Sequence, residues 1–159
     1  MKGKRDHVLV TGGAGFVGSN LADALLRDGH KVIVADNFTR EGVRMNAAWL
    51  KLRHGERVRI ESVDVRDAAR IRALVRESRH VFHLAAQVAV TTSLTDPATD
   101  LETNVLGTFH VLEAARTMLN PPSVLFTSTN KVYGGMEDVP VGLDGERYVY
   151  ADGRRGIGE

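Results

Sequence analysis

Short apolar runs and longer runs with helical spacing alternate along the chain, and this rhythm predicts an architecture before any single residue is weighed. Five runs read as strands: "HVLVT" from His7, "KVIVAD" from Lys31, "VRIESV" from Val58, "HVFHLA" from His80 and "SVLFTS" from Ser123. Four of them are nearly continuous apolar stretches, as strands covered on both faces should be. In the third, Val58, Ile60 and Ser62 alternate with Arg57, Arg59 and Glu61, so one face is wet and the strand is expected at a sheet edge. Between the strands, Val17, Leu21, Ala24 and Leu25 make one helical stripe, Val43, Ala47 and Leu50 a second, and Ile71, Leu74 and Val75 a third. A fourth, of Leu101, Val105, Thr108, Leu112 and Ala115, is entered through the turn residues Asp96-Pro97. Gly29 is placed to stop the first helix. After Ser128 the rhythm fails, and "GGMEDVPVGLDGE" reads as loop.

Strands alternating with helices imply an α/β fold built on a parallel sheet. With 159 residues, 43% of them hydrophobic, the chain can bury one core and not two. Charged residues make up 26% and nearly cancel to +1, which excludes the broad basic field of a nucleic-acid binder. No cysteine is present, so neither a disulfide framework nor a thiolate metal site is possible, a composition that suits a reducing cytoplasm. The start "MKGKRD" is basic, but the apolar run behind it breaks at Thr11, Gly12 and Gly13, so it reads as a leader into the first strand. Nowhere is there an apolar run of roughly 18 residues, the length a membrane-spanning helix needs. The histidines do not gather: His80 and His83 are the nearest pair, and an odd separation on a strand turns them to opposite faces.

The segment "VTGGAGFVGSN" carries the chemistry, because it joins the first strand directly to the first helix. Gly12, Gly15 and Gly18 satisfy one glycine spacing, and Gly13, Gly15 and Gly18 satisfy Gly-x-Gly-x-x-Gly as well. Such glycines let the backbone turn sharply and approach a pyrophosphate, whose charge meets free amides at a helix N-terminus. The second strand ends in Asp36, eighteen residues after Gly18, where a carboxylate can accept hydrogen bonds from an adenosine ribose. Asp36 repels a 2′-phosphate and so favours NAD over NADP, with Arg40 as the nearby cation. Asp64 can meet the adenine edge with Val65 against the ring, or it can cap the helix that begins in "RDAARIRALV". "LAAQ", Leu84 to Gln87, closes the fourth strand at the carboxyl edge where open sheets bind ligands, and the small Ala85 and Ala86 let a cofactor lie close. The expected fold is a Rossmann-type, doubly wound parallel sheet of about five strands in the order 3-2-1-4-5, with helices on both faces. Residues 1–130 are expected to form an NAD-binding domain and residues 131–159 a loop-rich tail.

These motifs resemble the extended short-chain dehydrogenase/reductases, specifically the NAD-dependent sugar epimerase/dehydratase family. The matching stretches are "TGGAGFVGSN", "DN" at Asp36-Asn37, "DVRD" from Asp64, "HLAAQ", "NVLGT" from Asn104 and "TSTNKVYG" from Thr127. The resemblance implies that Phe16, Val17, Asn37, Asn104, Thr127 and Ser128 join the glycines in holding the cofactor. It implies that Thr129 is the hydroxyl that hydrogen-bonds the sugar oxygen being oxidised; on residue chemistry alone Thr129 is a strand-end turn residue. Sugar 4,6-dehydratases of the family carry Asp and Glu after that Thr, whereas Asn130 and Lys131 stand here, which favours epimerisation over loss of water. Within the family, "AAQVAVTTSLTDP" and "STNKVYG" are most similar to the branch that acts at C2 of CDP-linked deoxyhexoses, so a CDP-sugar is the implied substrate.

The family's base is a Tyr with a Lys four residues later, and here Tyr133 is followed at that distance by Glu137, Tyr148 by Asp152 and Tyr150 by Arg154. The resemblance places "RYVYADGRRGIGE" just upstream of that pair, so the 159 residues are expected to be a piece able to bind NAD and unable to turn over. A fifth strand at the sheet edge would then present unpaired backbone groups and favour homo-oligomers. Two other functions fit the same residues: a non-catalytic NAD(H)-binding module, and a UDP-hexose 4-epimerase or related nucleotide-sugar reductase.

Overall fold

The computed structural model describes residues 5–154 and Gly156. Five strands, β1 (His7–Thr11), β2 (Lys31–Asp36), β3 (Val58–Ser62), β4 (Ser78–His83) and β5 (Ser123–Phe126), form one parallel sheet in the order β3-β2-β1-β4-β5. Strand alternation divides the core in two. Val10, Val32 and Val34 face helices α1 (Phe16–Arg27) and α2 (Val43–His54), where Leu26, Ala47 and Leu50 meet them. Leu9, Ile33 and Val81 face α3 (Ala68–Glu77) and α6 (Gly107–Arg116), meeting Ile71, Val75 and Val111. The β2 run is buried from Val32 to Ala35 because both faces are covered. At the edge, β3 keeps its wet side: Glu61 is paired with Arg59 and Arg70, and Arg59 also reaches Glu77.

The expected stripes of α2 and α3 are the buried faces of those helices. That of α1 is displaced by one position: Gly18, Ala22 and Leu26 are buried, Leu21 and Leu25 are half-buried, and Val17 is exposed. Close approach at Gly18 turns the small-residue face toward the sheet and leaves Val17 outside. Of the fourth stripe only Ala115 is buried and Thr108 half-buried, for a different reason. Its helical path runs through α5 (Pro97–Leu101), one π-helical turn (Glu102–Leu106) and α6. The wider turn shifts the phase of everything after it. Gly107, Val111, Ala114 and Ala115 are buried, whereas Leu101, Val105 and Leu112 are exposed. Asp96 does begin this path, accepting from Thr99 N at 3.1 Å with Pro97 in the first turn. A short helix α4 (Val90–Thr95) precedes it.

The chain divides into two compact units, residues 1–127 and 128–159. The second holds a 3-10 turn (Asn130–Tyr133) and a hairpin of β6 (Val141–Asp144) and β7 (Arg147–Tyr150), where the sequence pattern predicts only loop. Gly145, with φ +62°, is the first of the two residues that join them, the place where a tight hairpin turn needs a left-handed residue. Both strands are only four residues long, too short for alternation to stand out from a glycine-rich background.

Candidate functional site

The turn from β1 into α1 has almost no room for side chains. A β-carbon on Gly12, which has φ +65°, would lie 2.8 Å from Ala85 N. On Gly18 it would press into the Gly12 carbonyl and the Gly13 Cα, both inside 3.0 Å. Gly13 is tight for another reason: its β-carbon would meet Val10 O at 2.7 Å and Val34 Cγ1 at 3.0 Å. Gly12, Gly15, Phe16, Val17 and Gly18 line a cavity of about 490 Å³ at the C-terminal edge of the sheet, and Gly13 faces the core beneath it. The two glycine spacings therefore separate by role. Gly15 stands at the N-cap of α1 and contributes no side-chain cap. The backbone amides of the first turn are thus left for an anion.

Asp36 closes β2 beside this turn and holds it. Its Oδ2 accepts from Ala14 N at 3.1 Å and its Oδ1 from Phe38 N at 3.0 Å. Phe38 adopts φ +56°, uncommon for an aromatic residue, and the Arg44 guanidinium lies 5.0 Å above its ring. Asn37 and Arg40 line the cavity with Asp36, as does Thr39. From α2, Asn46 Nδ2 donates to Ala14 O at 2.8 Å, a brace for the turn that no motif in the sequence announces.

The far wall is the segment after β4. The strand ends at His83, so Leu84, Ala85, Ala86 and Gln87 leave the sheet and line the cavity. Thr11 and His83 fix the start of this segment, with Thr11 Oγ1 2.7 Å from His83 Nδ1 and 3.3 Å from the Ala85 amide that donates to it. Asn104, in the π-helical turn, fixes the end: its Oδ1 accepts from Gln87 N at 2.8 Å and its Nδ2 donates to Gln87 O at 3.0 Å. Asn104 supports the wall from behind without lining the cavity. Val65 lines it and packs against Gly107, where a β-carbon would come within 2.7 Å of Val65 Cγ2.

Asp64 does not cap α3. Asp67 does, accepting from Ala69 N at 3.1 Å and Arg70 N at 3.0 Å. The Asp64 carboxylate is engaged with Arg66 and Asn37, and hydrogen bonding from Arg66 holds it at about 2. Arg66 of "DVRD" also lines the cavity, as do Thr99 and Thr103, which carry no recognisable motif.

Thr127 ends the first unit and is exposed. Ser128 and Thr129 belong to the second unit, where Thr129 O accepts from Val132 N at 3.3 Å. The side chains of Asn130 and Lys131, from which epimerisation is preferred over dehydration, lie outside the described residues. Among the described residues no group of three His, Cys, Asp or Glu side chains could hold a metal ion. No helix among them is long and apolar enough to cross a membrane.

A strand, a glycine-lined turn into a helix, and a carboxylate closing the next strand, all at the C-terminal edge of a 3-2-1-4-5 sheet, define a Rossmann-type domain. The chain belongs to the NAD-dependent sugar epimerase/dehydratase family: residues 9–148 match the family model described as GDP-mannose 4,6 dehydratase. It is 40% identical over 160 residues to the CDP-paratose 2-epimerase of Salmonella typhi, an alignment that covers 96% of this chain and 45% of that protein. To the dTDP-glucose 4,6-dehydratase of Mycolicibacterium smegmatis it is 39% identical over 133 residues, covering 82% of this chain and 38% of the relative. Among solved structures it is similar to the UDP-glucose-4-epimerase of Stenotrophomonas maltophila with bound NAD and formylated UDP-arabinopyranose. That comparison has a TM-score of 0.71 and 28% identity, covering 82% of this chain and 39% of the other. The UDP-glucose 4-epimerase of Thermus thermophilus in complex with NAD gives a TM-score of 0.58 at 42% identity, over 69% of this chain and 33% of the other. The chain spans less than half the length of the relatives it matches.

Proposed function

We propose that the first unit holds NAD in the cavity between the glycine turn and the Leu84–Gln87 wall. The observation that carries this reading is a cavity lined by Gly12, Gly15 and Gly18 next to the Asp36 carboxylate, at a turn where a β-carbon on Gly12 or Gly18 would collide with backbone. In this arrangement the α1 amides take the pyrophosphate and Asp36 takes the adenosine ribose, with Asn37 and Arg40 beside it. Phe16, Val17 and Val65 supply apolar wall. Ala85 and Ala86 keep the opposite side shallow. When bound, NAD supplies a reversible hydride acceptor. The negative charge of Asp36 disfavours a 2′-phosphate, so NAD is preferred over NADP.

Together with the length its relatives have beyond it, the chain serves in our reading as a nucleotide-sugar epimerase, with CDP-paratose and CDP-tyvelose as the substrate pair. The identity to CDP-paratose 2-epimerase over 96% of the chain supports that choice. The sugar is oxidised at C2 to a keto sugar and reduced again on its other face. In this reading Thr127 and Ser128 are cofactor-binding residues, and Thr129 is the hydroxyl that hydrogen-bonds the oxygen being oxidised. The proton acceptor for that oxygen is not among these residues, because none of the three Tyr has a Lys four places on. What the 159 residues contribute is retention of the cofactor through both half-reactions. The same observation supports a second reading, a non-catalytic NAD(H)-binding module. Incubation of the chain extended to the length of its relatives with CDP-paratose and, separately, UDP-glucose in the presence of NAD tests both. Epimer formed from CDP-paratose alone supports the first reading, epimer from UDP-glucose redirects the substrate, and NAD binding without either product supports the second.

A further inference from the structure

The backbone that leads into the first turn of α1 is held at each of its polar atoms. Ala14 N donates to Asp36 Oδ2 at 3.1 Å, and Gly15 N donates to Gly12 O at 3.1 Å. Ala14 O accepts from Asn46 Nδ2 at 2.8 Å, a bond that reaches across from α2. A carbonyl oxygen only accepts, so the amide nitrogen of Asn46 is the group that faces it. Ala14 is fully buried, and neither it nor Asn46 lines the cavity, so the bond turns the carbonyl toward α2 and away from the cavity. Val43, Ala47 and Leu50 of the same helix are buried in the core, which gives Asn46 a fixed base.

The direction of that carbonyl decides where α1 begins. Gly15 has φ −67°, a helical value, and ψ 175°, an extended one. Rotation about this one ψ angle would bring Ala14 O to Gly18 N, the pairing of an α-helix, and start the helix one residue early. Glycine has no β-carbon to oppose the rotation. As it stands, Ser19 N bonds back to Gly15 O at 2.9 Å, and the amides before it in α1 have no intrahelical acceptor. An early start would consume the Gly18 amide and turn the peptide that carries the Phe16 amide. Asp36 holds only the nitrogen of Ala14, whereas Asn46 holds the oxygen that would take the new bond.

We infer that Asn46 is a positioning residue: by holding the Ala14 carbonyl toward α2 it fixes the start of α1 and keeps the amides of its first turn open to a diphosphate. The inference rests on the reading that the cavity takes NAD.

The test compares NAD with adenosine, which lacks the diphosphate, in wild type, Asn46→Ala and Asn46→Leu. NAD is titrated calorimetrically and adenosine is read by competition against it. Leu is close to Asn in size and cannot donate, so it separates the bond from the space the side chain fills. The expected result is a Kd for NAD about fivefold or more weaker in both variants, with adenosine unchanged within twofold. Retained adenosine binding shows at the same time that the variants are folded. Equal weakening of NAD and adenosine overturns the inference, as does NAD affinity that either variant leaves unchanged. Failure of the wild type to bind NAD is a different result, and removes the NAD reading together with the inference that rests on it.

Discussion

His83 Nδ1 lies 2.7 Å from Thr11 Oγ1, joining β4 to β1 at the point where both strands open into the cavity wall. The direction of the bond follows from its neighbours. Thr108 Oγ1 gives its one hydrogen to Asn104 O and so must accept from His83 Nε2, which leaves Nδ1 of the neutral ring to accept from Thr11 Oγ1, itself the acceptor of Ala85 N. Nε2 then carries the imidazole proton and donates to Thr108 Oγ1 at 3.1 Å, and Thr108 donates to Asn104 O at 2.6 Å. One directed chain of hydrogen bonds thus runs from the Ala85 amide to the π-helical turn. A neutral imidazole completes it, and a protonated one cannot accept from Thr11.

That chain gives a pH dependence. Burial pushes the His83 imidazole down from 6.5 to about 4. Unfolded His83 takes up a proton near pH 6.5 and folded His83 only near pH 4, so the unfolded state binds more protons between those values. Stability from this group is complete above pH 6.5, falls as the pH drops through the window and levels off below pH 4. Its size is at most about 3 kcal/mol. Urea unfolding at pH 7 and pH 4.5 should show a loss in wild type that His83→Gln reduces. Parallel losses in the two proteins would remove His83 as the cause.

Gly18→Ala should cost about 1–3 kcal/mol and weaken NAD, because the backbone atoms of Gly12 and Gly13 that the methyl group meets belong to the cradle itself. Gly29→Ala is the control. Gly29 has φ +87° with no atom within 4 Å of an added β-carbon, so the cost is about 1 kcal/mol of backbone strain and NAD binding is untouched. Thermal unfolding and titration of both variants separate crowding of the cradle from strain alone.

The edge strand β5 pairs with β4 on one side, and its Leu125 and Phe126 are half-exposed at 50% and 55%. Sedimentation velocity over a hundredfold concentration range should show association that Leu125→Lys reduces, since charge on an edge strand opposes pairing with another chain. A single monomeric species at every concentration would contradict this.

Much of this arrangement is legible in the residues themselves. Continuous apolar runs and the wet third strand predict the sheet, and the α2 and α3 stripes predict their buried faces, because burial on both sides of a parallel sheet imposes simple periodicities. Periodicity failed where a local constraint overrode it. Gly18 sets the orientation of α1 by close approach and leaves Val17 in the cavity, and the turn at Glu102–Leu106 rotates the helix behind it. The ambiguity of "DVRD" lay in its two acids: Asp67 caps α3, and Asp64 binds Arg66 and Asn37. Asn46, Thr103 and the His83 chain were hidden because they act through contacts between elements distant in sequence.

The glycine cradle and Asp36 together hold NAD in the proposed function. Calorimetric titration of the protein with NAD, alongside Asp36→Ala and with NADP as the competing ligand, tests it most directly. The expected result is saturable NAD binding, a Kd at least about tenfold weaker in Asp36→Ala from loss of charge-assisted ribose bonds, and weaker binding of NADP than NAD to the wild type. Equal affinity of the wild type and Asp36→Ala for NAD, or no binding by the wild type, would contradict it.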